Sequence, residues 1–287
     1  MQKQWKLNIR DLKEFEEYLE ERESSRATRK KYMTDIKTFY RYLDGESCID
    51  KGRLMEYREW LLENYAVSSA NSMLAALNRY LDFIGAGRIR MKRIRVQSGN
   101  FEKRKPEMKK EEYQRLVDTA AAEGRGQLAL LIETICATGI RVGELKFFTV
   151  DSVRKGAVKV WNKGKYRTVL VPDILRKKLM YFIKKNEITQ GAVFRTKKGK
   201  AKDRSNIWRE MKELADRAGV DGEKVFPHNL RHLFARTFYR MTRDLVNLAD
   251  ILGHSSIETT RIYTTDEKDQ WKKKIEQLDL VGKTDIT

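Results

Sequence analysis

The spacing of apolar side chains in the first 87 residues restricts this part of the chain to a helical bundle. Leu12, Phe15, Tyr18 and Leu19 make one stripe; Tyr32, Ile36, Phe39, Tyr40 and Leu43 make a second, after a cap-like Ser24-Ser25. Leu54, Tyr57, Trp60 and Leu61 make a third, and Met73, Leu74, Leu77, Tyr80, Leu81 and Ile84 a fourth, stopped at Gly85 to Gly87. Steps of three and four put such residues on one face of a helix, whereas a half-buried strand needs strict alternation. No alternating Val/Ile/Thr run occurs here, so four amphipathic helices are expected, the first beginning near residue 9.

The composition then shifts. Residues 88–105 carry eight Lys/Arg and one acid, with Ser98-Gly99-Asn100 inside the run and Pro106 after it. A basic interdomain linker is expected over 88–107, suited to following a phosphate backbone. The remainder, 108–287, is mixed. Helical spacing recurs near 109–122, 126–138, 141–148, 173–186, 203–218, 227–240, 244–253, 256–263 and 267–278. Val158, Val160, Val169 and Val171 instead alternate with polar residues on either side of a turn at Asn162-Lys163-Gly164-Lys165, which predicts an antiparallel hairpin. The expected fold class is mostly α with a small β-sheet, an α+β arrangement in two domains, 1–87 and 108–287. No internal repeat interrupts it.

A chain of 287 residues is long enough to bury two cores. Its 60 Lys/Arg against 41 Asp/Glu leave a net charge of +19, and the pI is about 9.8. That excess makes a polyanion the default partner. A membrane surface fits less well: there is no run of 18 apolar residues, no secretory h-region, no lipidation signal and no long helix with one basic face. Mean hydropathy of −0.67 agrees with a charge-rich globular chain. Cys48 and Cys136, assigned to separate helical regions, point to a reducing compartment without a disulfide framework. A cytoplasmic, nucleoid-associated protein is the expectation. His228 and His232 are four apart on one helix, but no third metal ligand accompanies them, so neither metal nor cofactor is expected.

Six residues of the second domain suggest a chemistry. A phosphodiester under attack gathers negative charge on its non-bridging oxygens, and arginine forks meet two such oxygens while staying protonated. Arg141 follows Thr138-Gly139, where one helix ends and another starts, and Arg231 lies one turn after His228 on a common helical face. Tyr263 supplies a nucleophile at the end of a short segment that opens with a capping-box pattern, Ser255 to Glu258, just after Gly253-His254. Lys163, in the hairpin turn, could protonate a leaving 5′-oxygen, with Lys165 as its neighbour and rival. Taken singly, each has an ordinary reading: a tyrosine on an amphipathic helix packs in a core, and a lysine in a turn is solvated. Their order and context together carry the inference.

In that order the residues resemble the tyrosine recombinase (phage integrase) family. Residues Ala137 to Leu145 resemble its first arginine box, and Asn162 to Pro172 its hairpin lysine segment. Pro227 to His232, and Leu252 to Ser255 through Arg261-Ile262-Tyr263, resemble its second box. The steps of 3, 23 and 9 residues linking His228, Arg231, His254 and Tyr263 are similar to those of Xer-type members. The resemblance implies a helical, SAM-like core-binding domain before a catalytic domain. It implies that Tyr263 attacks the scissile phosphate to form a 3′-phosphotyrosyl link and that Arg141, Arg231 and His254 bind the phosphate. His228 would assist proton transfer and Lys163 act as general acid. Glu144 and His232 match family positions and are read as structural supports. The implied partners are double-stranded recombination sites and a homo-tetramer that works through a Holliday junction, monomeric in solution, with accessory DNA-bending or directionality factors. Integration or excision of a mobile element is the role favoured. Alternatives are Xer-type dimer resolution, a catalytically silent DNA-binding relative, and a type IB topoisomerase with similar chemistry. Two departures stand out. The family often has a glycine after the His-x-x-Arg helix, where this chain reads Tyr239 to Asp244, and no arm-binding domain is expected ahead of the four helices. Trp271, Ile275 and Leu278 would give the tail helix an apolar side for docking on a neighbouring protomer.

Overall fold

The structure is a computed structural model and describes residues 4–8, 11–95, 106–162, 165–254, 256–263 and 277. It divides into two compact units, Met1–Glu102 and Lys103–Thr287. Among the described residues, no helix is long and apolar enough to cross a membrane.

The first unit contains β1 (Trp5–Lys6), α1 (Asp11–Glu21), α2 (Arg26–Leu43), β2 (Cys48–Ile49), α3 (Lys51–Asn64) and α4 (Val67–Phe83). The four apolar stripes converge on a core in which Phe15, Leu19, Phe39, Leu54, Leu61 and Tyr80 are fully buried. Ser25 starts α2 by accepting the Thr28 amide at 3.2 Å, and Asp50 starts α3 by accepting that of Arg53 at 2.9 Å. Cys48, expected in a helical region, is instead in a strand. It pairs with Lys6 in a two-residue antiparallel ladder, too short to leave a periodic trace. After α4 the chain doubles back along the helix. Asn71 and Asn78, two turns apart, each bond the amide and carbonyl of one returning residue, Ile94 and Met91, at 2.8–3.0 Å. Residues 96–105 of the expected linker lie outside the described residues.

The second unit runs α5 (Lys110–Ala122), α6 (Gly126–Thr138), a 3-10 helix Val142–Phe147, α7 (Val150–Arg154), β3 (Ala157–Asn162), β4 (Lys165–Leu170), α8 (Asp173–Lys185), α9 (Arg204–Arg217), α10 (Pro227–Thr242) and α11 (Leu245–Leu252). Single 3-10 turns at Ile257–Thr259 and Arg261–Tyr263 follow. α6 is the apolar spine, with Leu128, Leu131, Ile132 and Ile135 buried between α5 and α10. The hairpin pairs Val158 with Val169 and Val160 with Arg167. The fold is mostly helical with small two-stranded sheets, as the spacing implied.

Three elements differ from the sequence expectation. The helix expected over 141–148 is a 3-10 helix, because the Glu144 side chain folds back onto the Arg141 amide and winds the segment tightly. The helix expected over 256–263 is two separate turns. Thr259 Oγ1 bonds the Ser256 carbonyl and Thr260 is drawn into the core, so side chains compete with the helical ladder. The observed cap there is Ser256, which accepts the Glu258 amide at 3.3 Å; Ser255 lies outside the described residues. α7 carries no periodic signal because it is a single turn, capped by Thr149. The tail helix expected over 267–278 lies outside the described residues apart from Gln277, which is in a turn. Where a glycine was missed after α10, Arg243 itself adopts the left-handed conformation, with φ of 55°.

Candidate active site

Two glycines shape the backbone around the cluster. α6 ends at Gly139 with φ of 62°, and a Cβ there would sit 2.5 Å from Phe234 Cδ1. α11 ends at Gly253 with φ of 64°, and a Cβ there would sit 2.5 Å from Arg167 Cδ. Both positions combine a left-handed turn with a close approach, which only glycine allows.

The end of α11 is held by three arginines from three other segments. Arg167 donates to the Ile251 carbonyl at 2.8 Å, Arg231 to that of Leu252 at 2.7 Å, and Arg141 to that of Gly253 at 2.9 Å. The last carbonyls of a helix lack intrahelical partners and carry its negative pole, so cations suit them. Glu144 is the counter-charge. Its carboxylate, 3% exposed, takes Arg141 at 3.1 Å and Arg167 at 2.6 Å. Burial pushes its pKa up, but the two arginines outweigh this and hold it below the ordinary carboxylate value. Arg167 was not among the residues singled out from sequence. It shares the parity of Val169 on β4, so the alternation already placed an arginine on the buried face.

Arg231 is 1% exposed. Besides Leu252 it reaches the Gly139 carbonyl, and its Nη2 lies 3.1 Å from His254 Nε2. Burial, with the charges of Arg141 and Arg167, brings its pKa down to about 9. His254 Nδ1 is 2.9 Å from Thr260 Oγ1, a fully buried hydroxyl. Burial first, then Arg231 and Arg141, lower the His254 pKa to about 4. The ring is therefore neutral at pH 7, accepting from Arg231 through Nε2 and donating to Thr260 through Nδ1.

Arg141, Glu144, His228 and Arg231 line one cleft of about 670 Å³, with Trp161 and Trp208 also on its wall. His254 joins them through Arg231. Tyr263 is half-buried against Ala235, Leu248 and Leu252, with its hydroxyl 2.7 Å from His232 Nδ1. Burial raises the phenol pKa, opposed by Arg231 and Arg236. His232 and His228 meet edge to face with centroids 4.3 Å apart. Lys163 lies outside the described residues; the Lys165 backbone pairs with Asn162 at the hairpin end. Among the described residues, no group of three or more His, Cys, Asp or Glu is placed to hold a metal ion.

Residues 106–270 match the family model described as the phage integrase family, and residues 12–86 that of the phage integrase N-terminal SAM-like domain. The chain belongs to the phage integrase family. It is a Xer-like tyrosine recombinase, an enzyme that cleaves and rejoins DNA in site-specific recombination. The recombinase is 32% identical over 228 residues to the tyrosine recombinase XerD of Vibrio cholerae serotype O1, across 74% of this chain and 75% of that one. It is 27% identical over 279 residues to the tyrosine recombinase XerA of Pyrococcus furiosus, covering 94% of each. Its fold is shared with the Tn1549 transposon integrase in complex with transposon right end DNA, at a TM-score of 0.71 and 15% identity, over 93% of this recombinase and 98% of that chain. It is shared also with the XerH recombinase bound to difH substrate, at 0.69 and 21%, over 91% and 82%.

Proposed function

We propose that the recombinase cleaves DNA through Tyr263, with Arg141, Arg231 and His254 binding the scissile phosphate. The observation that carries this reading is the convergence of both guanidinium groups and the His254 ring at one helix end beside a half-buried tyrosine. The Tyr263 oxygen attacks phosphorus, the bond to the 5′-oxygen breaks, and the enzyme is left joined to the 3′-phosphate. The ester energy is kept in the phosphotyrosyl bond, so the 5′-hydroxyl of a partner strand reverses the step without a nucleotide cofactor. Charge developing on the non-bridging oxygens meets donors that are already fixed by Glu144 and the carbonyls of α11, which is electrostatic preorganisation. Lys163, which falls between β3 and β4 in the sequence, is proposed to protonate the leaving oxygen, with Lys165 the alternative, and His228 to assist proton transfer.

The proposed partners are double-stranded recombination sites in the cytoplasm and three further copies of the chain, with accessory DNA-bending or directionality factors, working through a Holliday junction. The net charge of +19 and the likeness to a transposon integrase favour integration and excision of a mobile element over dimer resolution. A nicked suicide substrate tests the chemistry. The intact protein should give a covalent adduct on gels, and Tyr263→Phe should give none while retaining DNA binding. An adduct that persists in the phenylalanine variant would overturn the assignment.

A further inference from the structure

We infer that His232 is the base that takes the phenolic proton of Tyr263 as the nucleophile attacks, and returns it when the strand is rejoined. The inference deepens the proposed role of Tyr263 and rests on it. The Tyr263 hydroxyl points at His232 Nδ1 across 2.7 Å, and the two rings are 5.4 Å apart at 57°. An imidazole nitrogen at hydrogen-bond distance from a nucleophilic oxygen has the geometry a general base requires. A phenol that donates to Nδ1 leaves the ring's own proton on Nε2, so Nδ1 holds a free lone pair.

The surroundings keep that lone pair available. His228 meets the ring edge to face, Arg231 and Arg236 sit beside it and one turn further along α10, and the charges of these groups and of His254 bear on it. Burial, then these groups, hold His232 neutral well below neutrality, with a pKa of about 4. His228 lines the cleft with Arg141 and Arg231 and meets the His232 ring edge to face. Arg231 and Arg236 oppose the rise that burial gives the Tyr263 phenol. In the balanced step, the O–H bond of Tyr263 breaks, Nδ1–H forms, the oxygen–phosphorus bond forms and the 5′-oxygen departs with a proton from the general acid. In rejoining, the departing phenolate recovers its proton from Nδ1.

Single-turnover cleavage of a nicked suicide substrate across a pH series tests this, with His232→Asn, His232→Gln and Tyr263→Phe beside the parent protein. A second substrate with a 5′-bridging sulfur, whose thiolate leaves without protonation, separates base from acid. Both His232 variants should cleave roughly 10²- to 10⁴-fold more slowly on either substrate, as expected for a lost general base. Their rates should climb with pH towards the phenol pKa where the parent's are flat. DNA binding measured by gel shift should be unchanged. Parent-like rates and pH profile, or full rescue by the sulfur substrate, would overturn the role of His232 while leaving Tyr263 as nucleophile. An adduct from Tyr263→Phe would instead overturn the reading on which it rests.

Discussion

Arg231 meets the condition under which a guanidinium tolerates burial, because its N–H groups find two carbonyls and an imidazole nitrogen. A lysine at this position keeps the charge but has no fork to serve three acceptors. Each carbonyl left without a donor costs about 1–3 kcal/mol. Arg231→Lys is therefore expected to lower the unfolding free energy by roughly 2 kcal/mol in a urea titration, and adduct formation by about 10²-fold. A variant as stable as the parent would show that these bonds contribute nothing. The two neutral histidines set a pH dependence. His232 and His254 have folded pKa values of about 4 against an ordinary 6.5, so the unfolded chain binds more protons between those limits. Their contribution is complete above the ordinary histidine value and is lost as pH falls towards 4. Glu144, held below its ordinary value, acts in the same direction lower down: its contribution is present above the carboxylate range and lost as pH falls through its folded pKa. Urea midpoints should fall from pH of about 7 to about 4, and more shallowly in a His232→Asn, His254→Asn double variant.

At the level of elements, the glycines that end α6 and α11 matter more than the helices they terminate. Gly253→Ala would force a methyl against Arg167 in a left-handed turn. A stability loss of about 2 kcal/mol and a larger loss of cleavage than of DNA binding are expected, measured as thermal midpoint and as adduct yield against gel shift. Equal losses of cleavage and binding would mean that the turn does not orient the arginines. Helices with long amphipathic faces were legible in the sequence: α1 to α4, α8, α9 and α10 fall where the stripes lie. So was the hairpin, whose valines alternate around its turn. The segments that differ are those whose conformation is imposed by a distant partner. Glu144, which folds back onto the Arg141 amide, also pairs with Arg167 from β4, and Thr260 of the last segment pairs with His254. Such contacts leave no period behind. Arg141, His228, Arg231 and His254 of the candidate site were singled out by type and order, and Arg167 was not. The bond between Tyr263 and His232 was not, because it joins residues 31 apart through a turn that spacing alone does not specify.

For the whole molecule, the charge of +19 is the property a solution experiment sees first. If six to ten phosphates are neutralised on binding, affinity should fall about 10³- to 10⁵-fold between roughly 50 and 200 mM salt, with a linear log–log slope. Tyr263→Phe should share that slope, since a phenol oxygen adds no cation; a shallower slope in the variant would assign the tyrosine a part in binding. The three arginines at the end of α11 come from positions 141, 167 and 231, and they close loops of 112, 84 and 21 residues. Closing long loops is entropically slow, so this knot of bonds is expected to be tied after the local helices have formed. A nascent or half-folded chain thus has its tyrosine but no assembled clamp for a phosphate. A recombinase assembled in that order acquires its capacity to cut DNA only with its last long-range contacts.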